Sequence, residues 1–363
     1  MKGVDNTLFR TIAFLVVFGL LILASASLGY SVKRFGYPYY YLFHQLAFGI
    51  GVGGLLFALG LRIPVSLYKR FAPLILVASM GLLLLIFVPG IGFSTGGATR
   101  WLHIGPISFQ PSEFLKFAMV VYLAAWMHSK RKEVASFTLG FLPFLLITGF
   151  VSIFLYKEPD IGTLGVIALT SLGMFILAGG RGSQIALAVL LGAGLLIAII
   201  YAEPYRRARL FVFLNPELES TGIGYHVDQA RIAIGSGGLF GRGLGLSQQK
   251  YSFLPEPMGD AIFAVFAEEF GFIGVSVVLA AFIFFFFRGM LMAARAYDSF
   301  AQLLAAGITL LVITQVIVNI GSLSGLMPLT GIPLPFISYG GTALAFLLFE
   351  MGILLNISRR KTL

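Results

Sequence analysis

Asp260 is the residue in this sequence that is best suited to accept a proton from a substrate. It closes the segment LPEPMGD at 254–260 and directly precedes a long apolar run. A carboxylate half sheltered by apolar neighbours has a raised affinity for protons, which a general base for a hydroxyl group requires. Asp is also a favoured cap at the start of a helix, and the spacing alone favours that structural role.

Charged residues inside apolar runs are the other candidates, because a buried charge in a membrane is costly. Glu113 and Lys116 are three residues apart, so a helix places them on one face as an ion pair. The spacing leaves two roles open for this pair, a purely structural one and a place in a substrate site.

Three further Glu residues lie deep in apolar runs. Glu268 and Glu269 are eight and nine residues into their run, which is roughly 12–13 Å at the rise of a helix. This depth is too great for chemistry at the surface, so we expect a structural polar network there. Glu350 is similarly deep in the last apolar run, and we expect it to be structural as well.

Several other kinds of site are disfavoured. The chain has no Cys, which excludes thiolate metal sites, and its four His show no metal-ligand spacing. The segment GSGGLFGRG at 235–243 has no preceding strand, so we expect a turn that approaches lipid or phosphate rather than a nucleotide loop. Arg100 and Trp101 join a cation to an aromatic ring, which alone is typical of a membrane anchor.

The elements that carry these residues are membrane spans. The 363 residues are 58% hydrophobic and 11% charged, whereas about a quarter of an ordinary soluble chain is charged. A bilayer core needs about 20 apolar residues per helix, and the sequence predicts an all-α, polytopic membrane protein with about ten helices. They lie near 8–28, 41–60, 72–90, 110–128, 138–156, 161–179, 184–202, 261–287, 300–320 and 338–357.

The first run also resembles a signal peptide, because Ala24, Ser25 and Ala26 look like a cleavage site. Its length favours a retained helix. With the N-terminus in the cytoplasm, most of the 25 Lys and Arg fall in cytoplasmic segments, which predicts both termini there. The net charge of +10 therefore reflects topology and does not indicate a nucleic-acid partner.

We expect a single domain over residues 1–363 with one large extracytoplasmic loop at 203–260. The loop opens with Arg206, Arg207 and Arg209 beside apolar residues at 210–213. Such a stretch suits a helix that lies in the headgroup layer. Its basic residues could attract a phosphate-bearing lipid, and simple interfacial anchoring fits the pattern equally well.

Six segments together resemble the SEDS family of bacterial cell-wall proteins, the group of FtsW, RodA and SpoVE. They follow the family's order and span nearly the whole chain. Members often have a polar residue, then Asp and Phe, where this chain has Gly259, Asp260 and Ala261. The segments are GATRWL at 97–102, QPSEFLK at 110–116, EPDIGT at 158–163, AIGSGGLFG at 233–241, LPEPMGD at 254–260 leading to the Glu pair at 268–269, and GIPLPFISYGG at 331–341.

The resemblance implies a peptidoglycan glycosyltransferase at the outer face of the cytoplasmic membrane. Such an enzyme polymerises lipid II: a GlcNAc hydroxyl attacks the MurNAc anomeric carbon of the growing chain, and undecaprenyl diphosphate leaves. The family's essential acidic residue corresponds to Asp260, which is therefore the expected base. The expected residues of the outer, substrate-contacting cavity are Arg100, Trp101, Glu113, Lys116 and Ser338.

The resemblance also implies partners. A class B penicillin-binding protein, which is a transpeptidase, is expected to work beside this chain, together with other membrane proteins of division or elongation. No cofactor is indicated, and a divalent cation is left open. The segments VPGIG at 88–92 and SAS at 25–27 resemble the division branch, FtsW, more than the elongation branch, RodA, so we expect the division septum.

A lipid II flippase or another transporter is the main alternative, since intramembrane charges also suit transporters. A transporter needs paths that open to both faces, whereas the candidate polar groups gather near the outer face. A non-enzymatic division scaffold is the third possibility.

Overall fold

The protein is a bundle of long helices. A small sheet lies in the loop that precedes Pro111, and the largest loop contains three short helices. The computed structural model describes residues 3–95, 98–104, 107–214 and 223–359. The elements are α1 Asn6–Ala26, α2 Leu28–Phe35, α3 Tyr40–His44, α4 Gly53–Arg62, α5 Val65–Leu85, β1 Gly92–Thr95, β2 Ala98–Ile104, β3 Ile107–Phe109, α6 Pro111–Ser129, α7 Leu142–Lys157, α8 Ile161–Leu177, α9 Gly182–Ala202, α10 Pro204–Leu214, α11 Ile223–Ser236, α12 Gln249–Ser252, α13 Ile262–Ala294, α14 Ser299–Leu323 and α15 Gly341–Arg359.

Each of the ten apolar segments predicted as spans lies mostly on a helix. Within the described ranges, eight helical segments are long and apolar enough to cross a membrane. Two of these include π-helical stretches, Gln45–Val52 between α3 and α4, and Phe137–Phe141 before α7. The remaining two helices are α8, with 17 residues, and α6, which carries Glu113 and Lys116. The polytopic all-α class is confirmed, and the count of ten spans stays a prediction.

Asp side chains begin three of the long helices. Asp5 accepts a hydrogen bond from the backbone N–H of Leu8, 2.8 Å, at the start of α1. Asp160 and Asp298 cap α8 and α14 in the same way. Each cap satisfies one backbone donor that the first turn of a helix leaves unpaired.

The helix α1 packs as an integral part of the bundle. Leu8 and Leu15 are fully buried, and Asp5 forms an ion pair with Arg288 of α13, 2.7 Å. A Cβ atom added at Gly19 would lie 2.2 Å from the carbonyl oxygen of Phe336, so only glycine fits this contact. These contacts agree with the predicted retained helix.

Two predicted boundaries are wrong. The third span, predicted at 72–90, is α5 and begins at Val65, because Pro64 fixes the backbone at its cap and Lys69 and Arg70 are accommodated within the helix. The eighth span, predicted at 261–287, extends to Ala294 and is interrupted at Gly271, where φ is 63° and ψ is −167°. Glycine alone adopts this conformation without strain.

A three-stranded antiparallel sheet between α5 and α6 was not predicted. Its order is β1-β2-β3, and β2 carries Arg100 and Trp101. The strands are short and lie in a loop whose aromatic and charged residues are equally typical of interfacial anchors, so the sequence pattern did not separate the two possibilities.

The large loop contains α10, α11 and α12, and its residues 215–222 lie outside the described residues. The helix predicted from the basic and apolar residues at 206–213 is present as α10. Phe211 and Leu214 on this helix are 55% and 60% exposed. An amphipathic surface helix of this kind suits the predicted position in the headgroup layer, which stays a prediction.

Candidate active site

Asp260 lies at the entrance to α13 and does not cap it. The N-cap of this helix is Ala261, one residue after Asp260, and its side chain makes no capping hydrogen bond. The capping role that the spacing favoured is therefore wrong. The carboxyl group is half-buried, and its Oδ1 atom is enclosed without a hydrogen-bond partner among the described residues.

Burial governs the protonation of Asp260. It raises the pKa of this carboxyl from its usual value of 3.8 to about 6, and the backbone N–H of Ala261 and the charge of Arg209 act in the opposite direction. The carboxylate is thus ionised at neutral pH while keeping a high affinity for a proton. A general base for a hydroxyl group needs this combination.

Glu256 interacts electrostatically with Asp260 and with His226, and the sequence reasoning missed both Glu256 and His226. Burial and the negative charge of Asp260 raise the pKa of Glu256. Burial and the charge of Arg209 lower the pKa of His226, whose Nε2 atom is buried without a hydrogen-bond partner in the described chain. His226 lies on α11, so only the tertiary fold brings it to Glu256, and no local spacing indicates the contact.

The segment before α15 holds the backbone around Asp260. Ser338 donates from its hydroxyl to the carbonyl of Gly259, 2.7 Å, and accepts from the backbone N–H of Leu334, 2.8 Å. The backbone N–H of Tyr339 donates to the carbonyl of Met258, 2.8 Å. Ser338 was predicted inside a span, but α15 begins only at Gly341. The irregular backbone is what allows these contacts.

Asn319 of α14 fixes the same region from the other side. Its Nδ2 atom donates to the carbonyl oxygens of Asp260, 2.8 Å, and of Ile332, 2.7 Å. Gly331 has φ of +73°, and a Cβ atom added there would lie 3.6 Å from Oδ2 of Asp260. Asn319 is a polar residue within an apolar run, a signal that could have marked it in the sequence.

The predicted ion pair between Glu113 and Lys116 is present, 2.8 Å apart and almost fully buried. Pro111 begins α6, so Glu113 lies in the first turn, where a negative charge is favourable. Nζ of Lys116 also donates to Oε1 of Gln315 on α14, 2.6 Å. Gln315, like Asn319, is a polar residue that the sequence reasoning passed over.

These residues line a cavity of about 430 Å³, counting the space open to solvent. Ser338 and Glu350 belong to its wall, together with Glu113, Lys116 and Gln315. Asp260, Arg100 and Trp101 do not line this cavity. The hydrogen bond from Ser338 to Gly259 connects a residue of the cavity wall with the backbone next to the candidate base.

Arg100 lies on the sheet and donates to the carbonyl of Pro159. Glu158, next to that proline, is completely buried, and neither of its carboxyl oxygens has a partner in the described part of the chain. Burial and the nearby charge of Asp160 raise the pKa of Glu158 to about 9, against the opposing charge of Arg100. The carboxyl group is therefore neutral at physiological pH.

Glu268 and Glu269 form the buried polar network expected from their depth. Glu269 pairs with Lys250, 2.7 Å, and accepts from the hydroxyl of Ser25, 2.6 Å. Glu268 accepts from the hydroxyl of Ser247, 2.6 Å. These contacts tie α12 and the end of α1 to α13. Glu350 was predicted to belong to the same network, but it lines the cavity that contains Glu113 and Lys116.

The glycine-rich segment 235–243 packs against α13 through two of its glycines. A Cβ atom at Gly237 would lie 2.1 Å from the carbonyl oxygen of Ala267. Gly241 has φ of +80°, and a Cβ atom there would lie 2.2 Å from the carbonyl oxygen of Glu269. The glycines are thus required for close backbone packing. Leu239 and Phe240 between them are 63% and 80% exposed, and the predicted approach of this turn to lipid or phosphate stays a prediction.

Across residues 3–95, 98–104, 107–214 and 223–359, no group of three or more His, Asp or Glu side chains is arranged to hold a metal ion.

Comparisons with known proteins identify one family. The model of a family described as cell cycle protein, the FtsW, RodA and SpoVE group, matches residues 6–363. Stage V sporulation protein E of Bacillus subtilis is 38% identical over 346 residues, covering 95% of this chain and 94% of that protein. A protein from Coxiella burnetii named probable peptidoglycan glycosyltransferase FtsW is 40% identical over 347 residues, covering 95% and 93%.

Two solved structures resemble the fold. A chain from a peptidoglycan synthase complex, in which polymerization and crosslinking are coordinated, has a TM-score of 0.82 at 25% identity and covers 99% of this chain and 98% of that one. The rod shape determining protein RodA of Thermus thermophilus has a TM-score of 0.69 at 25% identity and covers 99% and 97%.

Proposed function

This chain belongs to the FtsW, RodA and SpoVE family, and we propose that it is a peptidoglycan glycosyltransferase that polymerises lipid II at the outer face of the cytoplasmic membrane. Relatives at 38% to 40% identity over nearly their whole length are named probable peptidoglycan glycosyltransferases. The several apolar helices make it a multi-pass membrane protein. The observation that carries the proposed mechanism is the partly buried carboxyl of Asp260.

In the proposed step, the carboxylate of Asp260 accepts the proton of a GlcNAc hydroxyl. The hydroxyl oxygen forms a bond to the MurNAc anomeric carbon of the growing strand, and the bond from that carbon to the phosphate oxygen breaks. Undecaprenyl diphosphate leaves with the electron pair. Diphosphate is already a good leaving group, so one base is more important than a paired acid. The step as written requires no organic cofactor.

The cavity of Glu113, Lys116 and Ser338 is proposed to receive part of the lipid-linked substrate. Glu113 and Lys116 form an ion pair in its wall, and Gln315 and Ser338 add further polar atoms there. Arg100 and Trp101 lie apart on β2, so we assign them to the rim of the outer face rather than to the cavity wall.

A class B penicillin-binding protein is the proposed partner. A similar chain assembles into a peptidoglycan synthase complex that also crosslinks, and a glycan polymerase supplies the strands that a transpeptidase joins. Relatives named FtsW and the sequence features of the division branch favour the division septum as the site of action.

The proposal is tested with the purified chain and its partner in liposomes that contain lipid II. We expect glycan strands from the native chain and none from Asp260→Asn at matched protein amounts. Translocation of lipid II without strands would support the alternative, a lipid II flippase. If a correctly folded complex neither makes strands nor translocates lipid II, the scaffold hypothesis is the one supported. A parallel reaction with a chelator tests the dependence on a divalent cation, which the sequence left open.

A further inference from the structure

A second cavity lies between α10, α11 and the segment that follows α14. Its volume is about 260 Å³, counting the space open to solvent. Its charged lining residues are Arg209 and Arg231, and the rest of the wall is apolar. We propose that Arg209 and Arg231 bind the diphosphate of a polyprenyl-linked substrate, an inference that rests on the proposed glycan polymerisation and assigns a site to the leaving group.

The two guanidinium groups are held by neutral partners. Arg209 donates to the carbonyl of Leu329, 3.0 Å, and to the hydroxyl of Tyr205, 2.5 Å. Arg231 donates to the carbonyl of Gly325, 3.4 Å. Among the residues that the structure describes, no carboxylate forms an ion pair with either Arg. Their positive charge is therefore available to an anion.

Arg209 retains a free donor in an enclosed place. Its Nε atom is buried and has no hydrogen-bond partner in the described chain. A buried donor without a partner is uncommon, because it loses its bond to water and gains nothing in return. A phosphate oxygen would satisfy this donor, and the planar guanidinium is well suited to bind phosphate through two parallel hydrogen bonds.

The apolar walls match the other half of the ligand. Val212, Phe213 and Met327 line the cavity beside the two cations. On the same helix, Phe211 and Leu214 are exposed, as expected for a helix in the headgroup layer. A polyprenyl diphosphate joins a hydrocarbon chain to a charged phosphate, and a site with apolar walls and two arginines fits that junction.

Two observations connect Arg209 with Asp260. The charge of Arg209 acts on the carboxyl of Asp260. The carbonyl that Arg209 binds belongs to Leu329, two residues before Gly331, which packs against the Asp260 carboxyl. The bond that breaks joins the diphosphate to the anomeric carbon that the deprotonated hydroxyl attacks. A cation beside the base therefore stabilises the negative charge of the departing oxygen.

The same phosphate chemistry occurs in ordinary phospholipid headgroups, so the test separates the two sources. The full chain is placed in nanodiscs of zwitterionic lipid, and binding of undecaprenyl diphosphate is measured by native mass spectrometry and by titration. We expect Arg209→Gln and Arg231→Gln each to weaken binding about tenfold or more, since each removes charge-assisted hydrogen bonds. Arg207→Gln is the matched control, because Arg207 is exposed on α10 and does not line the cavity.

The inference is overturned if both variants bind undecaprenyl diphosphate as tightly as the native chain, or if Arg207→Gln weakens binding equally. It is also overturned if phosphatidylglycerol in the nanodisc displaces the diphosphate lipid from the native chain at comparable amounts, because the site would then be a general phospholipid site. Inorganic pyrophosphate is expected to compete with undecaprenyl diphosphate for the native chain, and a failure to compete would also overturn the inference. This measurement does not depend on whether a variant folds.

Binding and polymerisation are separate measurements. A chain that binds undecaprenyl diphosphate through both arginines but makes no glycan refutes the proposed function alone. A chain that makes glycan while both variants bind normally refutes the diphosphate site alone.

Discussion

The hydroxyl of Ser338 donates a 2.7 Å hydrogen bond to the carbonyl of Gly259, the residue immediately before Asp260. Ser338 also lines the cavity that contains Glu113 and Lys116. A single side chain thus connects the wall of the buried cavity to the backbone that carries the candidate base. A substrate that displaces the segment 333–338 would move Asp260 with it.

Ser338→Ala is expected to reduce the rate of polymerisation more than it reduces folded yield. The change removes the bond to Gly259 and the acceptor for the backbone N–H of Leu334, which together contribute about 1–3 kcal/mol. Misplacing a base by about 1 Å can lower a rate about a hundredfold. Strand synthesis and thermal unfolding of the purified variant are the two measurements.

Ser152→Ala is the matched control, because the hydroxyl of Ser152 donates only within its own helix, to the carbonyl of Thr148. It should leave the rate unchanged. Ser338→Thr keeps the hydroxyl and should recover part of the activity. Equal rates for Ser338→Ala and the native chain would mean that this hydrogen bond does not position Asp260.

Glu113 and Lys116 are expected to show strong coupling in a double-mutant cycle. Removing either partner leaves a buried charge without compensation, which costs about 3–5 kcal/mol. Glu113→Gln and Lys116→Met should each lower the folded yield or the rate strongly, and the double variant should lose less than the two single losses combined. The controls are Lys130→Met and Glu133→Gln, whose pair is also 2.8 Å apart but largely exposed.

Single variants of Glu113 and Lys116 with native stability and turnover would show that the pair is a bystander. If Lys116→Met fails while Glu113→Gln is tolerated, the hydrogen bond from Lys116 to Gln315 accounts for the loss instead of the ion pair.

The sequence alone was sufficient to predict those features of the structure that depend on neighbouring residues. Each apolar run of about 20 residues formed a helix, because a chain in lipid must satisfy its backbone internally. The three-residue spacing of Glu113 and Lys116 was enough to predict their contact. The break of α13 at Gly271 was not predicted, because the glycine packs against Gly241, which is 30 positions earlier in the numbering and on another element.

The surroundings of Asp260 could not be read from the sequence for the same reason. Glu256 is a near neighbour in sequence, but His226 comes from α11, Asn319 from α14 and Ser338 from the segment before α15. Each contact depends on how the helices pack. The spacing alone favoured a cap at Asp260 over a base, and the resemblance to a known family reversed that preference.

Glu158→Gln is expected to fold and to retain activity. The pKa of Glu158 is about 9, so the folded protein carries a neutral carboxyl at pH 7, whereas the unfolded chain ionises near 4.5. The native chain therefore loses stability as pH rises from about 4.5 to 9, and Gln, which is neutral throughout, removes that loss. Melting temperatures at pH 5 and pH 8 measure the difference.

The melting temperatures of Glu158→Gln and the native chain should converge at pH 5, and the variant should be the more stable at pH 8. A variant that is inactive or less stable at pH 8 would contradict this prediction. It would mean that Glu158 is ionised and acts together with the nearby Arg100.

Orientation can be tested by labelling single Cys variants, because the native chain has no Cys. Excess Lys and Arg on one side predict both termini and the 129–137 loop in the cytoplasm and the 203–260 loop outside. A Cys at exposed Leu239 should react with an impermeant reagent added to intact cells, and a Cys at exposed Lys132 should react only after lysis. The opposite pattern would remove the outer-face site from consideration.

Asp260 is expected to give opposite pH dependences for activity and stability over one window. Its pKa is about 6 in the folded chain and near 3.8 when unfolded. The contribution of Asp260 to the free energy of unfolding is therefore largest below about pH 4. It falls as pH rises to about 6, because the buried carboxyl must lose its proton. Activity should rise through the same pH 6, since only the carboxylate accepts a proton.

Asp260→Asn separates the two effects, because Asn is nearly isosteric and cannot act as a base. Strand synthesis should fall about a hundredfold or more. The melting temperature at pH 7.5 should rise, because Asn removes the cost of burying an ionised carboxyl, which is about 1–3 kcal/mol. Asp260→Glu should retain only a trace of activity, because the base moves by about 1 Å. Rates are measured with lipid II and the partner, and melting with the purified chain. If Asp260→Asn keeps substantial turnover, the base lies elsewhere, and Glu113 is the next residue to test. If instead it loses both activity and stability at pH 7.5, Asp260 supports the fold and is not a strained proton acceptor.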